Sequence, residues 1–330
     1  MRQSIVALLT LGASSLLGAG AVHGEGTSVR AAKQFGLGYL QYMIMEDEHL
    51  IEKHAKAAGL GEVRSEWNTF RSSDVMNDAL LSGNVDFVSL GVPGLMTIWD
   101  RTKGGIDVRG ASGLNLIPLA LNVRGERIKS LKDFTEKDKI AMPAIKVSNQ
   151  AILLQMAAAK EFGDANWNKL DAITQTMAHP DATLAMISGQ ADITANFSSV
   201  PYQQRQLKTP GIRTMMTSTD ILGGPFSFNL IATTSKFRSE NPKLYAAFLS
   251  ALGEATDKIN ADKKWAAEAY LRLSKDKMPL ADVVEIMNDP TVVFTTKVGP
   301  MDTMVAFMGR TGSYKNKPAS GKDLLFLEAQ

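Results

Sequence analysis

The chain has 330 residues, 45% hydrophobic and 21% charged, with 36 basic residues, 34 acidic residues and no cysteine. The composition is that of a globular protein, and the length exceeds a typical single core, so two lobes are expected. A net charge of +2 leaves no basic footprint for nucleic acid or an anionic membrane, and the missing cysteines exclude disulfide staples and a lipidated cysteine anchor.

The chain opens with Arg2, an apolar run over 5–11 and small residues up to Gly24. That order predicts a secretory leader over 1–24, cut after Val22-His23-Gly24, with Gly18-Ala19-Gly20 as the rival site. The run is broken by Gly12 and Gly18 and is too short to span a membrane well. An exported protein of the periplasm, free of a lipid anchor, is the expectation.

After the leader, a strand near 30–35 runs into the glycine-rich turn Gly36-Leu37-Gly38-Tyr39-Leu40-Gln41. A helix is expected over 42–58, ending at Gly59, and a second strand over 63–67. Ser73 and Asp74 then suit the start of a helix whose apolar face is Val75, Met76, Ala79 and Leu80. The stretch that ends it, Leu80-Leu81-Ser82-Gly83-Asn84-Val85-Asp86-Phe87, reappears as Met186-Ile187-Ser188-Gly189-Gln190-Ala191-Asp192-Ile193. Each copy reads as a helix closed by glycine and followed by a buried strand, 85–90 in one case and 191–197 in the other. Two copies in matching contexts predict two similar α/β lobes with mainly parallel sheets.

Between the copies, 139–142 reads as a strand stopped by Pro143, and a helix begins near Ser148 and ends at Gly163. Extended segments at 118–123 and 226–233 are expected to cross between the lobes. The resulting division is 25–120 for the first part of lobe one, 121–225 for lobe two, and 226–330 for the return strand and the rest of lobe one. The last third reads as helices over 242–260, 265–273, 280–287 and 301–309.

Catalytic signatures are scarce. His49 and His54 stand five residues apart, which turns them about 140° from each other on a helix, too far to grip one metal. His179, before Pro180, reads as a loop residue. No nucleophile elbow, phosphate-cradling loop or dinucleotide fingerprint occurs. No catalytic residue, metal site or cofactor is therefore assigned.

Ligands of open α/β sheets bind beyond the carboxyl ends of the strands. The candidates from lobe one are Tyr39, Gln41, Phe70, Arg71, Ser89, Gly91 and Asn115, with the loop 112–115 as one wall. Those from lobe two are Lys146, Val147, Ser148, Gln150, Asn196, Phe197 and Gly224. The unpaired amides at the helix start near Ser148, with Arg71 facing them, predict a small oxyanion and a tenfold affinity loss on Arg71→Ala.

Over roughly 29–326 the chain resembles the periplasmic substrate-binding proteins of ABC importers, in the nitrate/sulfonate/taurine group. The resemblance rests on GYLQY after the first strand, ALLSGNVDFVSLGVPGL, IAMPAIKVSNQAILL and HPDATLAMISGQADI. It implies a type II fold of two lobes joined by two crossing strands and closing on a small, anionic ligand. It also implies delivery to a membrane permease with a separate ATPase, by a monomer. Arg71, where relatives often carry a small residue, departs from the pattern. Two other readings stand beside it: an enzyme of thiamin-pyrimidine synthesis sharing the fold, which the missing cysteines oppose, and a binder of a neutral pyrimidine-type precursor. A regulator's effector domain is opposed by the lack of a helix-turn-helix.

Overall fold

The computed structural model describes residues 25–189 and 192–330; the leader expected over 1–24 lies outside them, as do Gln190 and Ala191 of the second copy. The first α/β run comprises β1 (Ser28–Lys33), a 3₁₀ turn at Leu37–Tyr39, α1 (Leu40–Asp47), α2 (Leu50–Ala57), β2 (Arg64–Thr69) and α3 (Ser73–Leu81). It continues with β3 (Phe87–Leu90), α4 (Val92–Thr102) and β4 (Val108–Leu116). The second run is β5 (Ala120–Arg124), β6 (Lys139–Met142), α5 (Asn149–Phe162), β7 (Thr174–Thr176) and α6 (His179–Ser188). After it come β8 (Ile193–Ser198), α7 (Tyr202–Leu207), β9 (Ile212–Thr217) and α8 (Ser218–Leu222). The chain returns through β10 (Asn229–Thr234), α9 (Ser235–Glu240), α10 (Pro242–Ala261), α11 (Lys263–Ser274), α12 (Leu280–Asn288), β11 (Val293–Phe294) and α13 (Asp302–Arg310).

Two sheets result, ordered β11-β4-β10-β3-β1-β2 and β7-β6-β8-β5-β9. In the first, β1 lies parallel to β2 and β3; in the second, β6 lies parallel to β7 and β8. Each sheet also takes one strand from the far side of a crossing. β10 runs antiparallel between β3 and β4, and β5 runs antiparallel between β8 and β9. The two halves thus share one topology.

The segments read as crossing strands are largely these inserted strands. Residues 117–119 and 223–228 make the crossings, and Pro118 and Pro225, which cannot donate to a ladder, lie within them. β5 and β10 are buried except at their last residues, and each has a strand paired to both edges. The stretch 112–115 is likewise no loop but the end of β4. Gly113 there donates to the Thr296 carbonyl at 2.9 Å, and a side chain at that position would collide with the Lys297 backbone.

The helix expected over 42–58 is two helices. His49 adopts a left-handed conformation (φ 50°) between them, and its amide closes a turn on the Glu46 carbonyl. His54 pairs with Glu254 at 2.8 Å beside Lys53, so this histidine staples α2 to α10. Among the described residues no cluster of His, Cys, Asp or Glu could hold a metal ion, and no helix is long and apolar enough to cross a membrane.

α10 backs the first sheet, with Phe87 of β3 stacked on Phe248 at 3.7 Å. Beneath α6, Ala141, Ala182, Met186, Ile193 and Ile212 form a separate small core on the second sheet. Both cores point the carboxyl ends of their parallel strands toward one interlobe cleft.

Candidate functional site: the interlobe cleft

The cleft is built where four helices begin. β2 feeds α3, β3 feeds α4, β6 feeds α5 and β7 feeds α6. The first residues of these helices line the cavity: Ser73, the α4 N-cap Gly91, the α5 start Ser148-Asn149-Gln150, and His179. Gln34, Tyr39, Phe228 and Asn229 from lobe one and Pro143 from lobe two complete the wall. Helix starts carry amides with no partner inside the helix and a partial positive charge, so all four bring the same sign to one point.

The lobes are closed on each other. The cavity measures about 20 Å³, room for one water molecule. The Asn149 side chain donates from Nδ2 to the Phe228 carbonyl at 2.7 Å, spanning the lobes. It lies so close to Gly91 that a side chain at 91 would overlap it. Leu37 N–H donates to the Val200 carbonyl at 3.2 Å, and at the rim Arg205 pairs with Asp276.

Among the described residues no Lys, Arg, Asp or Glu lines the cavity. Burial pushes the His179 pKa down to about 4, so its imidazole is neutral at pH 7. The ring stacks on Tyr202 at 5.6 Å, its Nε2 lies 3.4 Å from Ser199 Oγ, and its Nδ1 has no partner among the described residues. Burial also raises the Tyr39 pKa, and the neutral phenol donates to Asn229 Oδ1 at 3.5 Å. Asn149 Oδ1 and Asn229 Nδ2 are enclosed without partners among the described residues. Ser199 beside His179 does not form a hydrolytic triad: no acid holds Nδ1, and the hydroxyl contact is long.

Of the residues expected from the sequence, Tyr39, Gly91, Ser148 and Gln150 meet in this cavity. Ser148 caps α5, its hydroxyl accepting from Ala151 N–H. The others stand elsewhere. Gln41 is inside α1 and donates to the Leu114 carbonyl and Thr256; Asn115 donates to the Gly38 carbonyl; Ser89 donates to the Ala32 carbonyl. Asn196 donates to the Ala141 carbonyl and accepts from Gln206, and Phe197 is core, since both lie within β8 rather than beyond it. Gly224 sits in a crossing, where a side chain would meet no described atom within 4 Å, and Phe70 and Val147 are partly exposed. Arg71 and Lys146 are exposed and line no part of the cavity, because the turns that hold them aim long side chains at solvent.

Sequence reasoning passed over Gln34, Ser73, Pro143, Asn149, His179, Phe228 and Asn229. Two of these carried a signal. Asn149 lies inside the helix start singled out at Ser148, and His179 opens α6 as Ser73 opens α3, so aligning the two copies finds it. The rest are brought in by the crossings and by closure.

Residues 118–266 match the model of the NMT1/THI5-like family. The alkanesulfonate-binding protein SsuA of Xanthomonas axonopodis pv. citri, solved with MOPS bound, superposes with a TM-score of 0.70 at 15% identity, covering 92% of this chain and 99% of its own. The fold is that of the periplasmic binding proteins. The aliphatic sulphonate binding protein SsuA of Escherichia coli agrees (TM-score 0.65, 17% identity, 92% of each chain). So does the nitrate-binding protein NrtA of Synechocystis PCC 6803 (0.60, 14%, 79% of this chain and 70% of its own). The α/β two-lobe fold that the sequence resemblance implied is thus the one observed. No curated protein matches the chain in sequence.

Proposed function

We propose that this protein is the solute-binding component of an ABC importer, holding a small polar solute with an oxyanion group between its lobes and handing it to a membrane permease. One observation carries the reading: four helix starts converge on a closed cleft whose Asn149, His179 and Asn229 each retain an enclosed polar atom without a partner. Backbone amides and helix dipoles can hold an anion without a cationic side chain. Sulfonate- and nitrate-binding proteins share the fold, which supports the binding role. Among the described residues the cleft has no nucleophile held by a base.

A second reading, a neutral heteroaromatic solute, is favoured by the uncharged lining and by the His179–Tyr202 stack. A thermal-shift screen of sulfonates, nitrate, carboxylates and pyrimidines separates the two. A ligand at a hundredfold its dissociation constant adds about 2.7 kcal/mol of stability. Arg71→Ala is expected to change the affinity of the best ligand less than about fivefold, because an exposed charge contributes about 0–1 kcal/mol. Recovery of that ligand chemically altered over many turnovers would overturn the binding reading.

A further inference from the structure

We propose that the solute held in this cleft carries a hydrogen-bond donor, an N–H or O–H, beside the acceptor atoms of its polar head; the inference rests on the solute-binding reading above. It starts from Asn149, the first residue of α5, which is 3% exposed. Its Nδ2 lies 2.7 Å from the Phe228 carbonyl oxygen. A carbonyl can only accept, so the amide orientation is settled: flipping it would set two acceptor oxygens against each other. The oxygen Oδ1 is therefore an acceptor, and it is buried with no donor to satisfy it.

The neighbouring group has the opposite character. Asn229, 2% exposed and next in the chain to Phe228, receives the Tyr39 hydroxyl on Oδ1 at 3.5 Å. That leaves its Nδ2 as a donor without an acceptor. Two residues that line the cavity thus carry an unmatched acceptor, from lobe two, and an unmatched donor, from lobe one. His179 Nδ1, also unpartnered, accepts or donates according to which way the Ser199 hydroxyl turns.

A site built to meet a donor discriminates strongly against analogues that lack it, because its own polar atom is then left unpaired. Nitrate and unsubstituted alkanesulfonates offer acceptors alone and leave Asn149 Oδ1 unsatisfied. A solute with an amino, amido or hydroxyl group near its oxyanion or carbonyl satisfies both lobes at once. The rival account is a water molecule: the cavity has room for one, and a water donating to Oδ1 would make the solute's own donor irrelevant.

The test is calorimetry with pairs that exchange a methyl for a donor of the same size. These are propane-1-sulfonate against 2-hydroxyethanesulfonate, butanoate against 3-hydroxypropanoate, and 4-methylpyrimidine against 4-aminopyrimidine. In whichever pair binds, the donor-bearing member is expected to bind at least tenfold more tightly. In Asn149→Ala, checked for an unchanged melting profile, that ratio should fall within threefold. A ratio within threefold in the unaltered protein, or one that survives Asn149→Ala, overturns the inference and leaves solute binding intact. Absence of binding by every member of every pair to the folded protein sinks the solute-binding reading and this inference with it.

Discussion

The two copies of the Ser-Gly turn solve one problem with different partners. In lobe one, Gly83 (φ 72°) ends α3 and Asp86 leads into β3. Asp86 accepts from the Arg30 backbone amide at 2.8 Å and from the Arg30 guanidinium at 2.7 and 3.1 Å, while Arg30 also reaches the Gly83 carbonyl at 2.6 Å. In lobe two, Gly189 (φ 63°) ends α6, and the arginine comes from the inserted strand β5: Arg124 donates to the Met186 and Ile187 carbonyls at 2.6 and 3.0 Å. Both devices bring a cation to the negative end of a helix, Arg124 bonding carbonyls of the helix itself and Arg30 that of the glycine just beyond it. The repeated words therefore report a repeated topology, helix into buried strand, and not a repeated site.

At the cleft the same pair of positions diverges. Where α3 begins with Ser73, α6 begins with His179. A buried neutral histidine must give up solvation to fold, so its protonation opposes folding. Its pKa is about 4 in the folded protein, against about 6.5 for the unperturbed side chain. The stability this linkage preserves is present above about pH 6.5 and is lost as the pH falls from there toward 4. On the order of 3 kcal/mol is expected to go in that window, at 1.36 kcal/mol per pKa unit. Giving lobe two the residue of lobe one, His179→Ser, should remove that slope. Urea midpoints at pH 7 and pH 4.5 check it, and superimposable profiles for the two proteins would show that His179 does not carry the effect.

Closure offers the next largest contrast. Gly91 lets Asn149 seat against the start of α4, and its φ of −76° is open to alanine, so the added methyl acts on closure rather than on the backbone. Gly91→Ala is expected to weaken the best ligand by about a hundredfold, near 2.7 kcal/mol, with the melting temperature of the ligand-free protein nearly unchanged. Small-angle scattering should then show no contraction on adding ligand. A variant that still contracts and binds normally would break the account of closure.

The smallest contrast returns to the repeated turn. Alanine at Gly83 meets nothing within 4 Å and costs only the left-handed backbone, about 1–2 kcal/mol. Alanine at Gly189 also meets Arg124 at 2.8 Å and disturbs its bonds to the helix end. Gly189→Ala should be the more destabilising of the two by about 1 kcal/mol, in the range of a neutral hydrogen bond. Equal costs, measured by urea unfolding, would mean that Arg124 simply turns aside.

What the sequence determined by itself was the local order of elements. The helices over 149–162, 242–261 and 302–310 follow from apolar residues at helical spacing, and Gly83, Gly163 and Gly189 mark where helices stop. Those features depend on neighbours a few residues away, which is why they could be read in line. Tyr39, Gly91, Ser148 and Gln150 were legible for the same reason, since each sits at the junction between a strand and a helix. His49 shows where local reading fails: an unbroken helical pattern hides a left-handed residue, and the following helix is held to α10 by Lys53 and His54.

The tertiary structure decided everything that depends on two distant segments meeting. It turned 112–115 from a loop into strand by laying β10 and β11 on either side of it. It took Arg71 and Lys146 away from the cavity and brought in Phe228 and Asn229, which the second crossing carries back to lobe one. Most of all it gave Asn149 its meaning. Nothing near residue 149 says that a carbonyl 79 positions later will hold the amide nitrogen and leave the oxygen as an unmatched acceptor. A hydrogen-bond vacancy is a property of the closed pair of lobes, because burial and partnership are set by through-space neighbours that sequence separation does not encode.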